Sequence, residues 1–291
     1  MDAGRIALAE VVQSRDARPR VRLYEQFSRE GTEIDMLKRV AKSSSLARRR
    51  CVTCLSHGQY QLLQVDVPDN LPKEAPVTEV RDTLRWRIKE MVDFPVDQAG
   101  IDVMPMTVQG NRTPQIWVVA ASHAQLRPPI ELFQDAKVPL EAIDIPEFAQ
   151  RNLARLFEDE ERGLALVSFD EQGGRLTITY QGELYFSRHL DATSTELANP
   201  NAVTQHERVL LDIQRSLDNF DRNYSAIPMS RLLIAPLPGG DVFVEYLRSN
   251  LSLIVASANL ADVLDLEATP QLSDVAAQNA AWVALGAALR E

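Results

Sequence analysis

The chain has 291 residues, of which 45% are hydrophobic and 25% are charged. This balance is typical of an ordinary globular protein and excludes a disordered or fibrous chain. No run of residues approaches the roughly 20 apolar positions that a membrane-spanning helix needs. The first residues also do not have the basic start and apolar core of a signal peptide. Two cysteines without an export signal therefore indicate the cytosol.

Charge is distributed unevenly along the chain. Residues 1–50 carry twelve Lys or Arg against seven Asp or Glu, whereas the whole chain has a net charge of −10. A basic segment that includes Arg48, Arg49 and Arg50 suits either an anionic membrane surface or a solvated face, and the solvated face is favoured. Nucleic acid is not an expected partner, because no aromatic residues alternate with the basic ones and no recognition motif accompanies them.

The first half of the chain alternates between strand and helix patterns. Strands at 6–12 and 21–27 are expected to form a hairpin, followed by a helix at 32–42 with Thr32 as its N-cap. The patterns then predict strands near 50–55 and 60–66 in a hairpin around Gly58, a proline-rich link at 68–76, strands near 99–107 and 115–121, a helix at 128–137, a strand at 140–145 and a helix at 145–156.

Between these strands, residues 84–97 predict one amphipathic helix that ends at an aromatic–proline step. Its apolar stripe at helical spacing consists of Val80, Leu84, Ile88 and Met91. Pro95 cannot continue a helix, and Phe94 before it is pushed toward an extended backbone. Trp86 lies roughly opposite the stripe if successive residues turn by about 100°. This side chain therefore needs another surface to cover it, either in this protein or in a partner.

The second half repeats the order of hairpin and then helix. The predicted elements are strands at 164–169, 176–180 and 184–190 joined by turns at 173–174 and 181–182, a helix at 200–224, a strand at 231–235, a helix, a strand at 253–255 and a terminal helix. The same order occurring twice indicates two related α/β lobes.

The order of these elements and several short motifs resemble the PilM-like proteins of type IV pilus assembly, in particular the MshI branch, named for the mannose-sensitive haemagglutinin pilus. The motifs are at 84–97, 142–149, 213–218, 230–234 and 284–291. The resemblance implies an α/β fold of the actin-like (ribonuclease H-like) type with two lobes. The first lobe would span 1–160, with a small inserted α/β subdomain at about 67–126, and the second would span 161–291.

Members of this family can bind ATP between the lobes. Such a site needs two glycine-containing hairpin turns whose N–H groups hold phosphates, an acidic residue beside each turn for hydrated magnesium, and a third Gly-Gly turn for adenosine. In this chain the first turn, at residues 1–5, lacks its preceding strand, and Arg5 stands where a small residue is expected. The resemblance therefore leaves two turns as candidates for a remnant of the site.

The second turn keeps Asp170 and Gly173 but places two bulky polar residues between them. The third keeps Gly239 and Gly240, although Pro236 and Pro238 remove two N–H donors. We therefore expect no catalysis and no cofactor. ATP and magnesium belong only to the alternative, in which a restored first strand makes the chain an active actin-like ATPase.

Metal chemistry is not expected elsewhere. Cys51 and Cys54 have the spacing of half a zinc site, and His57 follows, but a structural zinc needs four ligands and no second cysteine pair exists. In a strand the two thiols would also point to opposite faces. The better interpretation is that both cysteines are small hydrophobic residues.

The resemblance implies a non-catalytic cytoplasmic scaffold of a type IV, MSHA-like pilus machine at the cytoplasmic face of the inner membrane. Its expected partner is the cytoplasmic tail of a PilN-like inner-membrane protein, with a pilus assembly ATPase as a further candidate. The tail would bind as an extended peptide on the first lobe, at Trp86, Phe94 and Pro95. For Phe94 and Pro95, a helix stop packed in the core is an equally good interpretation. A second alternative is the cytoplasmic half of a GspL-like secretion protein.

Overall fold

The computed structural model describes residues 5–13, 17–28, 32–44, 49–68, 75–107 and 113–290. The strands are β1 (Arg5–Val12), β2 (Arg20–Ser28), β3 (Cys51–Cys54), β4 (Gln61–Asp66), β5 (Ala99–Pro105), β6 (Gln115–Ser122), β7 (Leu140–Asp144), β8 (Gly163–Asp170), β9 (Gly173–Tyr180), β10 (Glu183–Leu190), β11 (Met229–Ile234) and β12 (Val255–Ser257). The helices are α1 (Glu33–Ser44), α2 (Val77–Arg87), α3 (His123–Asp135), α4 (Pro146–Phe157), α5 (Ser194–Ala198), α6 (Val203–Asn223), α7 (Asp241–Asn250) and α8 (Val275–Ala288).

The chain forms two compact units. One consists of Met1–Arg5 and Phe27–Ile145, and the other of Ile6–Gln26 and Pro146–Glu291. The predicted division into lobes at residue 160 stays a prediction, because compact units follow contacts and not the boundaries of a repeat.

The second unit is built on a five-stranded sheet in the order β10-β9-β8-β11-β12. The strands β8, β9 and β10 form an antiparallel meander, and β11 runs parallel to both β8 and β12. Seven of the eight residues of β8 are buried, as expected for a central strand with both faces covered. The turn after β9 has positive φ angles at both Gln181 and Gly182, which suits a tight hairpin. The strands predicted at 164–169, 176–180 and 184–190 are confirmed.

Helices α4 and α8 pack closely in this unit. A Cβ atom placed on Gly286 would lie 2.6 Å from the carbonyl carbon of Ala149, so the two backbones approach too closely for any side chain at this position. The Asn152 side-chain amide donates to the carbonyl of Gly286 at 2.9 Å. Both helices belong to a buried apolar cluster that also holds Val21 and Tyr24 of β2.

The pairing of β1 with β2 confirms the first predicted hairpin. The pair belongs to the second unit, where Arg20 forms an ion pair with Asp265 at 2.6 Å. The Gln271 side chain also donates to the carbonyl of Tyr24 at 2.9 Å. These contacts join the start of the chain to the segment before α8.

The first unit holds two small sheets, and one predicted hairpin is wrong. The strands β3 and β4 do not pair with each other: β3 runs parallel to β7, and β4 joins the three-stranded sheet β4-β6-β5. The reason is the apolar strand β6, which takes the central position and pairs with β4 along all six of its residues. The turn at Gly58, with φ of +84°, connects two different sheets. This three-stranded sheet includes β4, which precedes residue 67, and the inserted subdomain at about 67–126 stays a prediction.

The helix predicted over 84–97 ends earlier than expected, and this prediction is also wrong. Helix α2 stops at Arg87, well before Phe94 and Pro95. The following residues form turns that are held by tertiary hydrogen bonds. Gln61 donates to the Asp93 carboxylate at 2.6 Å and accepts from its N–H at 3.2 Å, and Arg85 donates to the Val96 and Ala99 carbonyls. Among the described residues, no helix has the length and apolarity that crossing a bilayer requires.

The acidic segment 158–161 is mostly exposed, but two of its carboxylates have defined hydrogen-bond partners. Glu158 accepts from the N–H of Gly182 at 2.8 Å, and Asp159 accepts from Ser230 and Arg231, both at 2.7 Å. The Ser230 hydroxyl, with help from Arg231, lowers the pKa of the Asp159 carboxyl. This carboxylate therefore fastens the segment between α4 and β8 to β11.

The close approach of α4 and α8 predicts that Gly286→Ala destabilises the protein. Helix propensity alone would make the substitution stabilising by about 1 kcal/mol, so the sign of the change separates packing from propensity. We expect the free energy of unfolding to fall by about 1–3 kcal/mol or more, which is the cost of overpacking a well-packed core. Denaturant titration measures it. The control is Ala280→Gly at an exposed position of α8, which should lose only about 1 kcal/mol. A more stable Gly286→Ala protein would contradict the packing argument.

The lowered pKa of Asp159 predicts a pH dependence. Because the folded state holds this carboxylate ionised, its contribution to stability is present above the ordinary carboxyl pKa and is lost as the pH falls through the lower folded value. We expect Asp159→Asn to lower the thermal midpoint at neutral pH, with the difference from the original chain shrinking in acid. A difference that stays constant down to the acid unfolding transition would contradict this role.

Candidate functional site

Trp86 lies on the surface of the first unit. Trp86 is 69% exposed, whereas Leu84 and Ile88 of the same segment are fully buried against the β4-β6-β5 sheet. The Nζ atom of Lys89 lies 6.0 Å from the centre of the indole ring, at the outer limit of a cation–π contact. The helix therefore presents its apolar face to the sheet and its largest aromatic side chain to solvent.

The other two predicted partner-binding residues have different surroundings. Phe94 is half-buried and packs against the same core as Leu84, while Pro95 is exposed and precedes a short 3-10 turn at Val96–Gln98. Phe94 thus has a contact with the core, and its role in partner binding stays a prediction. Trp86 and Pro95 are accessible to a partner.

A groove that the sequence did not reveal lies between α3 and β7. Its volume is about 420 Å³, and its lining consists of Ile130, Phe133, Gln134, Val138, Pro139, Leu140, Glu141, Ala142 and Ile143. None of Trp86, Phe94 and Pro95 belongs to this lining. The apolar residues of β7 and α3 were visible in the sequence, but only the packed pair of elements creates a concave surface.

The carboxylate of Asp170, at the end of β8, is 41% exposed and is bound by its own hairpin. Its Oδ1 atom accepts from the N–H of Gln172 at 2.7 Å, and its Oδ2 atom lies 3.6 Å from the guanidinium of Arg175. The N–H of Gln172 belongs to the turn that would have to hold a phosphate. Both the carboxylate and this donor are therefore occupied within the chain.

Arg175 is a residue that sequence reasoning missed. It is buried on β9, directly opposite Ser168, and its guanidinium donates to the Ser168 hydroxyl at 3.2 Å. Ser168 in turn donates to the Gln150 side chain at 2.5 Å, and Gln150 donates to Thr177 at 2.9 Å. The only sequence signal was a charged residue inside a strand that otherwise reads as buried.

The glycines of the two remnant turns are explained by packing inside the protein. Gly173 has a φ of +136°, and a Cβ atom there would lie 2.6 Å from the His189 ring. A Cβ atom on Gly240 would lie 2.5 Å from Cγ of Leu237, and Gly239 has a φ of +70°. Packing or backbone conformation therefore favours glycine at these positions whether or not a nucleotide binds.

The Pro236–Gly240 turn is held by residues of the same unit. Asn279 of α8 donates to the carbonyls of Phe169 and Pro236, at 2.9 and 2.7 Å. The N–H of Gly240 donates to the carbonyl of Leu237 at 3.1 Å, and Asp241 then opens α7. A carboxylate at a helix N-terminus is favourable for the helix but repels a phosphate.

These residues do not fit a magnesium-bound triphosphate. A cation that approached Asp170 would be repelled by the positive charge of Arg175, whose guanidinium lies 3.6 Å from the same carboxylate. Within the described ranges, no group of three or more His, Cys, Asp or Glu is arranged to hold a metal.

Burial raises the pKa of the Cys51 thiol, as expected for a residue that acts as a small hydrophobe.

Comparison with protein-family models gives no match, and comparison with curated protein sequences gives none either. Comparison with solved structures gives a full-length match to the PilM–PilN type IV pilus biogenesis complex. The TM-score is 0.76 and the sequence identity 18%, with 100% of this chain and 96% of that chain covered. The fold of this chain is therefore PilM-like and actin-like, which confirms the fold class predicted from the sequence.

Two further structures are similar at lower scores. A Bacteroides thetaiotaomicron protein of unknown function with an actin-like ATPase fold has a TM-score of 0.47 at 8% identity, over 92% of this chain and 96% of that one. The cytoplasmic domain of EpsL, from the type II secretion system of Vibrio cholerae, has a TM-score of 0.41 at 13% identity, over 66% and 74%. Both likenesses are too weak to carry an inference.

The packing around Gly240 predicts that Leu237, and not a nucleotide, makes a side chain there costly. We expect Gly240→Ala to lower the free energy of unfolding by about 1–3 kcal/mol in the absence of any nucleotide. Combining it with Leu237→Ala should cost less than the sum of the two single changes, because the shortened side chain relieves the contact. Denaturant titration of the three variants measures this coupling, and strictly additive effects would contradict it.

Proposed function

We propose that this chain is a non-catalytic scaffold of a type IV pilus assembly machine and belongs to the MshI branch of PilM-like proteins. The observation that carries the proposal is the likeness of the whole chain to the PilM–PilN complex. The engaged Asp170 carboxylate and the self-packed Gly240 turn support a role without nucleotide turnover.

The proposed partner is the cytoplasmic tail of a PilN-like inner-membrane protein, bound as an extended peptide. Trp86 is the proposed anchor, since an aromatic side chain that loses its exposed surface in a complex contributes strongly to affinity. Pro95 offers a second exposed apolar contact. Phe94 is proposed to act indirectly, by packing against the core of the β4-β6-β5 sheet.

The proposed place of action is the cytoplasmic face of the inner membrane. Lys38, Arg39 and Lys42 are exposed on α1, while Met36, Leu37 and Val40 of the same helix are buried. A basic helix face near anionic lipid gains about 1 kcal/mol per charge close to the surface. The bound tail of a membrane protein would bring this face to the membrane. The assembly ATPase remains a further proposed partner.

The test is binding of the synthetic cytoplasmic tail of the PilN-like protein made by the same bacterium. We expect Trp86→Ala to weaken binding at least tenfold in isothermal calorimetry while the thermal midpoint stays nearly unchanged. An exposed substitution of this kind changes stability by no more than about 0.5 kcal/mol.

Two control variants define the surface. Val77→Ala removes another exposed apolar residue of α2 and should leave the affinity unchanged, and Ile130→Ala tests the groove between α3 and β7. An unaltered affinity in Trp86→Ala, together with a loss in Ile130→Ala, would move the proposed site to the groove. Equal losses of affinity and thermal midpoint in Trp86→Ala would make Trp86 a structural residue.

A further inference from the structure

We propose that Arg175 is the resident cation of the β8–β9 hairpin and takes, at the Asp170 carboxylate, the place that magnesium would need in a nucleotide-dependent protein of this fold. This inference rests on the proposed function, because it explains how the hairpin keeps its shape without a ligand. It assigns a charge-balancing role to a residue that no motif identifies.

The first step of the argument is the local charge. Arg175 is 8% exposed, so its guanidinium is held away from bulk water and requires a counter-charge close by. Asp170 supplies this counter-charge at a distance of 3.6 Å. It lies two residue pairs closer to the turn in the same β8–β9 ladder. The ladder pairs Asp170 with Gly173 and Ser168 with Arg175, so both charges lie at the turn end of the hairpin.

The second step is the orientation of the guanidinium. It donates to the Ser168 hydroxyl, which is held by Gln150, whose amide also reaches the carbonyls of Leu166 and Arg175 at 3.0 and 3.3 Å. Gln150 lies on α4, so the cation is positioned by the helix that packs against this sheet. A side chain fixed in this way is part of the fold and not a mobile surface charge.

The third step is the hairpin turn. Asp170 uses its second oxygen to accept from the N–H of Gln172. One carboxylate thus closes the turn and balances the buried cation at the same time. In a metal-dependent hairpin the same carboxylate would face a hydrated metal ion. The positive charge that stabilises the carboxylate would then be lost whenever the metal and its nucleotide dissociate. Here that charge is covalently attached.

The decisive experiment inverts the charge. In Arg175→Glu a second carboxylate stands beside Asp170, and an external divalent cation becomes the natural partner for the pair. We expect the thermal midpoint of this variant to fall in EDTA and to recover at least half of the loss in millimolar magnesium or manganese chloride. The original chain should show the same midpoint in both solutions.

Two controls identify the site of the metal response. The double variant Asp170→Asn, Arg175→Glu should lose the recovery, because only one carboxylate remains. Arg188→Glu alters an arginine on the adjacent strand β10 that donates to the carbonyl of Asp212, and it should not respond to metal. A recovery of equal size in either control would overturn the proposal, as would an Arg175→Glu protein whose midpoint in EDTA matches that of the original chain.

A second measurement applies if Arg175→Glu does not fold. Arg175→Met and Asp170→Asn form a double-mutant cycle in which the combined loss of stability should be clearly smaller than the sum. Additive losses would overturn the pairing. The tail peptide is titrated into the same proteins: a chain that fails to bind the tail but shows the metal response refutes the proposed function alone. Tight magnesium–ATP binding by the original chain would refute both.

Discussion

The backbone contact between α4 and α8 at Ala149 and Gly286 is the constraint on which the second unit depends. It requires glycine at one position, and the Asn152 amide fixes the two helices in register. Two turns earlier on α8, Asn279 binds the carbonyls at the end of β8 and after β11. The same helix therefore packs against α4 and holds the carboxyl ends of β8 and β11, near which Asp170 and Gly240 lie. The turns that contain Asp170 and Gly240 are therefore shaped by packing within this unit.

The parts of this fold that the sequence predicted are those in which local pattern and tertiary pairing agree. The β8–β9–β10 meander was predictable because short glycine-containing turns join buried strands. The pairing of β3 with β7 was not, because a four-residue strand carries too little pattern to name its partner and the contact spans almost ninety residues. The end of α2 was missed for a related reason: Gln61 and Asp93 are remote in sequence, and their hydrogen bonds hold the turns that follow the helix.

The candidate site divides in the same way. The sequence predicted two degenerate nucleotide turns, because the bulky and cyclic residues in them can be read from the sequence directly. It did not reveal that Arg175 reaches back across the ladder to Asp170, since that contact depends on strand register. Helical periodicity placed Trp86 opposite the apolar stripe but left open whether this protein covers it, and its exposure, like the groove between α3 and β7, required the packed structure. Periodicity thus gives the face of a helix but not the concavity between two elements.

The three tryptophans of the chain lie in contrasting surroundings. Trp117 and Trp282 are 5% and 2% exposed, and they lie in different units, whereas Trp86 is open to solvent. Indole emission shifts to shorter wavelength as water is removed from the ring, and soluble quenchers reach only accessible rings. The red, quenchable part of the intrinsic fluorescence therefore belongs to Trp86, and the blue, protected part reports the integrity of the two cores. The protein carries its own label for the surface near α2, and no dye needs to be attached there.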